Sequence, residues 1–353
     1  MTRGGLARIK VIGVGGGGGN AIDRMMKAKI KDVELIAVNT DAQMLEVIEA
    51  HRTLQIGAKL TGGLGAGGNP EVGHKAAEES EAEISDLLED LDMVFITAGM
   101  GGGTGTGASP VIARLAKEAG ILTVAIVTKP FSFEGKARAE RAKKGIEELK
   151  QFVDTLIAIP NDRLLKVAPA DIPLVKAFEL ADDVLRQGVQ GIADLITTPG
   201  MINLDFADIE AAMRNTGTAM MGIGEGEGEG RTREAARNAI ASPLLECSIE
   251  GAQKVIFNIT GGAELTLEEV TEAASLIRDA VSDQADIFFG ATVKDGYDKV
   301  KLTVIATGFK EIQEHEEEAV EEEDFFDQII RKREKIDLDI PTFLRRRQKA
   351  QEK

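Results

Sequence analysis

The sequence predicts an α/β protein with a parallel-sheet domain, a long connecting helix and then a smaller α+β domain. Three observations predict this fold class. Apolar strands alternate with amphipathic helices from Arg8 onward. Apolar residues then recur at threes and fours from about 173 to 197, as in one long helix. Beyond that helix the pattern changes to strands that carry two helices among them and ends near Phe309.

The first domain, predicted at residues 1–172, opens with a βαβ pattern. The strand RIKVIGVG leads through a glycine run to the helix NAIDRMMKA and the strand VELIAVNTD. The remaining elements are a helix around 71–91, the strand MVFITAG, the helix SPVIARLAKEAG, the strand LTVAIVTKP, a helix around 136–152 and TLIAIPN. Because these strands are apolar throughout, we expect a Rossmann-like parallel sheet that is covered on both faces.

The rest of the chain divides into four predicted segments. The connecting helix takes 173–202, and the α+β domain takes 203–309 with the strands GTAMMGIGEG, KVIFNIT, ADIFFGATV and KVKLTVIATGF. Within it, the acidic stretch GEGEGEGR at 224–231 predicts a turn between a strand and a helix, since its charge repels phosphate. Residues 310–335 are predicted to be an acidic solvated linker. Residues 336–353, which include DLDIPTFLRRRQKAQEK, are predicted to be a short docking segment.

Composition excludes several classes of function. A formal net charge of -17 disfavours nucleic-acid binding, which requires clustered Lys and Arg. Cys247 is the only cysteine, so no intramolecular disulfide is expected, and the three histidines show no metal spacing. The first residues lack the apolar region of a signal peptide, and no apolar run is long enough to span a bilayer. We therefore expect a cytoplasmic protein with no direct membrane insertion.

Two glycine-rich stretches each follow a strand and precede a helix, as phosphate-binding loops do. The first, GVGGGGGNA at 13–21, also satisfies G-x-G-x-x-G and is followed by Asp41 after the next strand. An NAD-dependent oxidoreductase therefore remains an alternative. The second, GGGTGTG at 101–107, adds a further phosphate cradle that a dinucleotide fold does not need. Together they predict a nucleoside triphosphate site.

The second stretch also bears on how the phosphates are held. Thr104 and Thr106 supply hydroxyls that can bond phosphate oxygens or magnesium-bound water. The chain has no G-x-x-x-x-G-K-[ST] motif, because Gly135 and Lys136 are followed by alanine, so a P-loop NTPase is excluded. We expect backbone dipoles and Mg²⁺ bound through phosphates and water to hold the charge, with no metal ligand assigned to the protein.

Neither glycine stretch contains an Asp, Glu, His or Gln that could position a water molecule. The motif NLDFAD at 203–208 offers Asn203, Asp205 and Asp208. From the residues alone, the favoured interpretation is that Asp205 or Asp208 caps a helix that begins near Ile209. The alternative is a catalytic role.

The order of GVGGGGGNA, NTDAQ, GLGAGGNP, GGGTGTG, TKPFSFEG and NLDFAD resembles the tubulin/FtsZ family, in particular its bacterial cell-division GTPases. The resemblance runs from about residue 8 to 309. It implies the tubulin/FtsZ fold, binding of GTP or GDP, head-to-tail filaments and a role in the division ring. The chain departs from the family pattern at Gly62, where a basic residue is common, at Asp23, where asparagine is frequent, and in its short acidic linker.

The resemblance also implies site residues. Those around the phosphates would be Gly16, Gly17, Asn20, Ala66, Gly67, Gly99, Gly102, Gly103, Thr104, Gly105 and Thr106. Glu134 and Arg138 would contact the ribose and phosphates, and Asn161, Phe178 and Asp183 would hold the guanine. A carboxylate suits guanine because it accepts from the N1-H and 2-amino groups. Without the family, Phe178 could equally be a core residue, and Asp183 a solvated helix acid.

Finally, the resemblance ranks the catalytic role of NLDFAD above capping. In this family the loop enters the nucleotide pocket of the next subunit, so Asn203, Asp205 and Asp208 would position the attacking water there. A non-catalytic GTP-binding scaffold is a further alternative. The terminal DIPTFLRRR resembles a family peptide that binds membrane tethers and regulators of division, here residues 336–347.

Overall fold

The fold was obtained as a computed structural model, which describes residues 7–309 apart from 167, 170, 198–203, 243, 246, 247, 283 and 295. The predicted acidic linker, the predicted docking segment and Asn203 lie outside the described residues.

In the described part of the chain, ten strands form one sheet with the order β3-β2-β1-β4-β5-β6-β7-β10-β8-β9. The strands are β1 (Ile9–Val14), β2 (Glu34–Asn39), β3 (Arg52–Gln55), β4 (Met93–Gly99), β5 (Leu122–Lys129), β6 (Thr155–Pro160), β7 (Gly217–Gly226), β8 (Lys254–Gly261), β9 (Asp286–Val293) and β10 (Val300–Thr307). Strands β1 to β6 pair in parallel, and β7 is parallel to β6 but antiparallel to β10. The predicted parallel sheet is confirmed.

The helices connect the strands in the predicted alternation. They are α1 (Gly15–Lys27), α2 (Ala42–Val47), α3 (Ala58–Thr61), α4 (Pro70–Glu79), α5 (Glu81–Leu88), α6 (Thr104–Glu118), α7 (Lys136–Lys150), α8 (Asn161–Leu165), α9 (Leu174–Thr197), α10 (Phe206–Met213), α11 (Arg231–Ile240) and α12 (Leu267–Asp279). Within the residues that the structure describes, none of these helices combines the length and apolarity that crossing a bilayer requires.

The long connecting helix is α9, whose bounds agree with the predicted 173–197. The single helix predicted around 71–91 is wrong, because the chain breaks at Ser80 into α4 and α5. Ser80 leaves the helical conformation at ψ 23°, and its hydroxyl accepts a hydrogen bond from the Gly57 N–H at 3.1 Å. A side chain that bonds backbone outside the helix favours such a break.

Two apolar cores cover the two faces of the first six strands. One core joins α1, α9 and α10 to side chains such as Val11 and Phe95. The other joins α4, α5, α6 and α7 to side chains such as Ile12 and Ile96 on the opposite face. The sheet is therefore the middle of three layers, and a group at its edge can reach elements of either face.

The strand order reverses between β1 and β4. The chain runs from β1 outward to β2 and β3 and then returns to place β4 on the other side of β1, with Val14 aligned to Ala98. In open α/β sheets, such a switch point opens a crevice at the carboxyl ends of the strands. Both glycine-rich stretches follow these two strands, so they meet at that crevice.

Strand β7 carries the sheet from the first half of the chain into the second. The turn predicted at 224–231 is wrong for its first three residues, which belong to β7. Glycine is needed there because α11 lies directly on the strand. A Cβ on Gly222, Gly224 or Gly226 would lie 2.0 to 2.1 Å from a backbone oxygen of α11. The glycines at every second position are therefore a packing surface for a helix.

Replacing Gly224 with alanine is expected to lower the free energy of unfolding by roughly 2 to 3 kcal/mol, since α11 must move away to admit the methyl group. Urea unfolding of the parent and the variant measures the loss. Gly102→Ala is the matched control, because a Cβ at Gly102 meets no atom within 4 Å. Equal stability of the Gly224 variant and the parent would contradict the close packing.

Candidate nucleotide-binding site

The first glycine-rich stretch is the start of a helix. Helix α1 begins at Gly15, directly after β1, so the run of glycines forms its first turns and not a loop before it. The first backbone N–H groups of a helix have no partner within it and attract anions. A Cβ on Gly16 would meet no atom within 4 Å, so this N-terminal turn borders open space in the crevice.

The second stretch is a turn closed by its own threonines. Gly101, at φ 99°, donates its N–H to the Thr106 hydroxyl at 2.7 Å, and Thr106 is only 2% exposed. The Thr104 hydroxyl lies 2.7 Å from that of Thr40, at the end of β2. Both hydroxyls that were expected at the phosphates are thus already hydrogen-bonded within the protein. These two hydrogen bonds shape the turn from which α6 begins at Thr104.

The two stretches touch through their backbones. A Cβ on Gly15 would lie 2.8 Å from the Gly105 nitrogen, and one on Gly17 would lie 3.3 Å from the Gly99 nitrogen. Any larger residue at Gly15 would push the two helix starts apart. The N-termini of α1 and α6 consequently form one continuous surface, and both positive helix ends contribute to it.

A third wall comes from the segment before α4. A Cβ on Gly103 would lie 2.7 Å from the Ala66 Cβ, and Gly67 has φ 57° with open space around it. The structure therefore brings Ala66 and Gly67 to GGGTGTG, as the resemblance implied. Because Gly103 must be glycine for this contact, the two segments are fitted to each other.

A fourth wall follows β5. The Glu134 carboxylate accepts from the Phe131 N–H at 2.8 Å and pairs with Arg138 at 3.1 Å. A Cβ on Gly101 would lie 2.7 Å from the Arg138 carbonyl oxygen, so α7 begins beside GGGTGTG. Glu134 and Arg138 thus lie next to the surface that the N-termini of α1 and α6 form, which we call the phosphate surface.

A cleft of about 460 Å³ separates α1 from the first turns of α9. Its lining residues are Asn20, Asp23, Arg24, Lys27, Val175, Phe178, Glu179 and Asp182. The ring of Phe178 is 40% exposed and packs edge-on against Phe131 and Phe133, with centroids 5.4 and 6.3 Å away. An aromatic ring beside carboxylates in a cleft suits a base that donates N–H groups.

Of the three carboxylates that line this cleft, Asp182 is the one that burial perturbs most, and it was not among the residues that the sequence suggested. Asp183 lines a different cleft and accepts from Arg186 and Gln187, each at 2.6 Å. Burial acts to raise the pKa of Asp183, but these two hydrogen bonds outweigh it and hold that pKa below the usual value. Residues four apart share a helix face, so the spacing from Phe178 to Asp182 was the available signal.

Asn161 provides a further polar group at the same sheet edge. It follows β6, is 5% exposed, and its side-chain oxygen has no hydrogen-bond partner among the described residues. Buried acceptors are nearly always satisfied, so this oxygen fits a donor from a ligand. The observation agrees with the guanine contact that the resemblance implied.

Asp182 lies 3.7 Å from Arg24 and is hydrogen-bonded to Asn20. Burial raises the pKa of its carboxyl to about 6, against the opposing effects of Arg24 and Asn20. A raised native pKa means that folding favours the protonated form. The stabilisation that Asp182 contributes is therefore fully present below about pH 4, which is the pKa of an aspartate in the unfolded chain. It is lost as the pH rises through about 6, where the carboxyl of the folded chain ionises.

Asp182→Asn is accordingly expected to stabilise the unliganded chain by roughly 1 to 3 kcal/mol at pH 7.5, since the amide cannot ionise. The gain should shrink toward pH 5. Urea unfolding at both pH values checks this. A gain that stays the same at pH 5 and 7.5 would contradict the raised pKa.

The acids of NLDFAD cap a helix, as the residues alone predicted. Asp205 is the N-cap of α10 and accepts from the Asp208 N–H at 2.8 Å, while Asp208 accepts from the Asp205 N–H at 3.2 Å. The helix begins at Phe206 and not near Ile209. Capping holds both carboxylates at the protein surface.

The helix that these acids cap ends at the opposite edge of the sheet from the glycine turns. The Thr155 hydroxyl, at the start of β6, donates to the Met213 carbonyl at the end of α10 at 2.5 Å. Helix α10 has 8 residues, or about 12 Å. Strand β6 has 6 residues, or about 20 Å. Asp205 and Asp208 therefore do not reach the phosphate surface of their own chain.

Two alternatives can be weighed on this geometry. Asp41, the candidate ribose acid of a dinucleotide site, instead caps α2 by accepting from Gln43 and Met44. No group of three or more His, Cys, Asp or Glu among the described residues is arranged to hold a metal ion. The geometry supports a mononucleotide site with two helix N-termini at the phosphates.

Comparison with known proteins agrees with this arrangement. The family model for the GTPase domain of the tubulin/FtsZ family matches residues 8–169, and that for the FtsZ C-terminal domain matches 217–310. An FtsZ dimer from M. jannaschii is 46% identical, with a TM-score of 0.83 over 86% of this chain and 89% of that chain. CetZ1 from Haloferax volcanii, a GDP-bound monomer, is 22% identical, with a TM-score of 0.74 over 87% and 96%. The predicted fold is confirmed, but a bacterial origin is not, since the M. jannaschii neighbour is archaeal.

Proposed function

We propose that this chain, which belongs to the tubulin/FtsZ family and is a GTPase, assembles head to tail into filaments that hydrolyse GTP between subunits. Family membership carries the GTPase activity. We propose in addition that the chain assembles into filaments, that neighbouring subunits share the catalytic site, and that the filaments act in the division ring.

One observation carries the proposal. The first turns of α1 and α6 carry no acid that could position water, and the candidate acids cap a helix, α10, that ends at the other edge of the sheet. Stacking the amino-terminal edge of one copy on the carboxyl edge of another brings the two halves together. A head-to-tail contact of this kind does not close, so it builds a filament.

Each half has a chemical role. Backbone N–H groups at the starts of α1 and α6 bind the phosphates and stabilise the charge that develops during hydrolysis. Asp205 and Asp208 of the adjoining copy position the attacking water, together with Asn203, which lies outside the described residues. Mg²⁺ would supply additional charge neutralisation, held by the nucleotide phosphates and water and not by a ligand set of the described residues.

The base is held in the α1–α9 cleft. Asp182 accepts from the N1-H and 2-amino groups of guanine, Phe178 packs against the ring and Asn161 accepts from a further donor. The resemblance implied that Asp183 holds the guanine, but Asp183 instead accepts from Arg186 and Gln187 on the adjoining face of α9, and we assign the contact with the base to Asp182. Adenine lacks the paired donors, so the cleft selects guanine.

The cellular role follows from the family. The filaments form the cytoplasmic division ring and attach to membrane tethers and regulators through residues 336–347, which lie outside the described residues. Truncation after Glu334 should spare assembly and abolish binding to such partners. Unchanged partner binding by the truncated chain would overturn this role for the tail.

A dilution series tests the shared site. Phosphate release per subunit should rise steeply above a threshold concentration with GTP, in parallel with light scattering, and remain near zero with ATP or GDP. A release rate per subunit that is independent of concentration would contradict an interface site. Scattering without phosphate release would identify a non-catalytic scaffold.

A further inference from the structure

Arg141 reaches from α7 to the glycine-rich segment 57–69. Its Nη1 donates to the Gly68 carbonyl at 2.6 Å, and its Nε is buried without a partner among the described residues. A buried N–H without an acceptor is unfavourable. The Nη1 N–H of the guanidinium thus binds the segment, and its Nε N–H has no acceptor among the described residues.

The segment needs such a hold because its backbone is intrinsically flexible. Six of its residues are glycines with positive φ, namely 57, 62, 63, 65, 67 and 68. At its start, the Glu79 carboxylate accepts from the N–H groups of Lys59 and Leu60 at 2.9 and 3.0 Å. The second half of the segment includes Leu64, which is 83% exposed. It is held at Gly68, whose carbonyl accepts from Arg141. The two ends are thus fixed by side chains from different helices.

The position of residues 65–68 in the fold indicates which end of the nucleotide they meet. The α1–α9 cleft lies on one face of the sheet, whereas Ala66 packs on Gly103 on the face that carries α4, α6 and α7. On the proposed function, on which this inference rests, the base occupies that cleft. The phosphate chain then crosses the sheet edge, and its terminal phosphate is the one that meets residues 65–68.

We propose that Arg141 is a positioning residue that holds residues 65–68 against GGGTGTG and so selects a nucleoside triphosphate over a diphosphate. It acts through the backbone of the segment and does not touch the nucleotide. Its loss leaves the base cleft and the starts of α1 and α6 intact. Binding of a diphosphate, which lacks the group at 65–68, is therefore little affected.

The test compares Arg141→Ala, Arg141→Lys and Lys144→Ala with the parent, at concentrations too low for assembly. Lys144 is exposed one turn along the same helix and serves as the matched control. Arg141→Ala should weaken GTPγS binding about tenfold and GDP binding less than about twofold, as for one lost charged hydrogen bond. Arg141→Lys, which keeps a charged donor, should restore most of the affinity. Amide hydrogen exchange at 64–68 should accelerate in Arg141→Ala and not in Lys144→Ala.

The two ideas fail in different ways. A parent chain that binds neither nucleotide overturns the proposed function. A parent that prefers GTPγS, together with an Arg141→Ala variant that keeps the same preference, overturns the role of Arg141 alone. Equal losses for GTPγS and GDP would also overturn it, since they would indicate a general structural effect.

Discussion

Asp208→Ala is expected to lower GTP turnover by about 10² to 10⁴, or roughly 3 to 5 kcal/mol of transition-state stabilisation, while GTP binding stays at the parent level. The acid does not reach the phosphate surface of its own chain, since the helix that it caps ends at the opposite edge of the sheet, so its loss does not disturb the nucleotide. Turnover at saturating GTP and separate nucleotide affinity measurements check the two halves of the prediction.

The same substitution also removes a helix cap, which must be separated from catalysis. Asp208 accepts from the Asp205 N–H, and losing this bond should cost about 1 kcal/mol of stability. Glu210→Ala is the control, because Glu210 lies on the same helix as Asp208, pairs with Arg214 just after it and has no assigned role in hydrolysis. Parent-level turnover by Asp208→Ala would refute the catalytic assignment.

Gly16→Asp is expected to weaken GTP and GDP binding by more than about 10²-fold. The new side chain enters open space at the start of α1, so it brings a negative charge to the phosphate surface without a clash. An acidic residue in the first turn of a helix is itself favourable to folding. At close range in a partly buried site, repulsion between like charges amounts to several kcal/mol.

The variant Gly16→Ala distinguishes the effect of the added negative charge on nucleotide affinity from the effect of added side-chain volume. The methyl group meets no atom within 4 Å in the folded chain, so the alanine variant should retain most of its affinity. Nucleotide affinity of Gly16→Asp at the parent level would place the phosphates elsewhere. Thermal unfolding of both variants verifies that the chain still folds.

The strands and the long helix could be predicted because their apolar patterns are long and regular. Strand β4 coincides with MVFITAG, and α9 carries a consistent apolar face over its 24 residues. That Asp205 or Asp208 caps a helix could also be predicted, since acids favour helix starts, although the helix begins at Phe206 and not near Ile209. These features depend on local sequence and on burial of one face.

Other features depend on contacts between distant segments. Glycine propensity predicts a loop at 15–19, but α1 starts there because its backbone packs on that of GGGTGTG. Gly224 and Gly226 were assigned both to a strand and to the turn after it, because the approach of α11 is not encoded locally. Asp182 was missed although its spacing from Phe178 places both on one helix face. The role of Arg141 depends on Gly68, 73 positions away.

The most direct measurement of the shared site mixes the two inactive variants. Gly16→Asp cannot hold GTP but retains its acids, and Asp208→Ala holds GTP but lacks one of them. In samples that cosediment, an equimolar mixture should release phosphate well above the sum of the separate variants, because their contact pairs an intact phosphate surface with intact acids. A cosedimenting mixture whose rate equals that sum would contradict a catalytic site built from two copies.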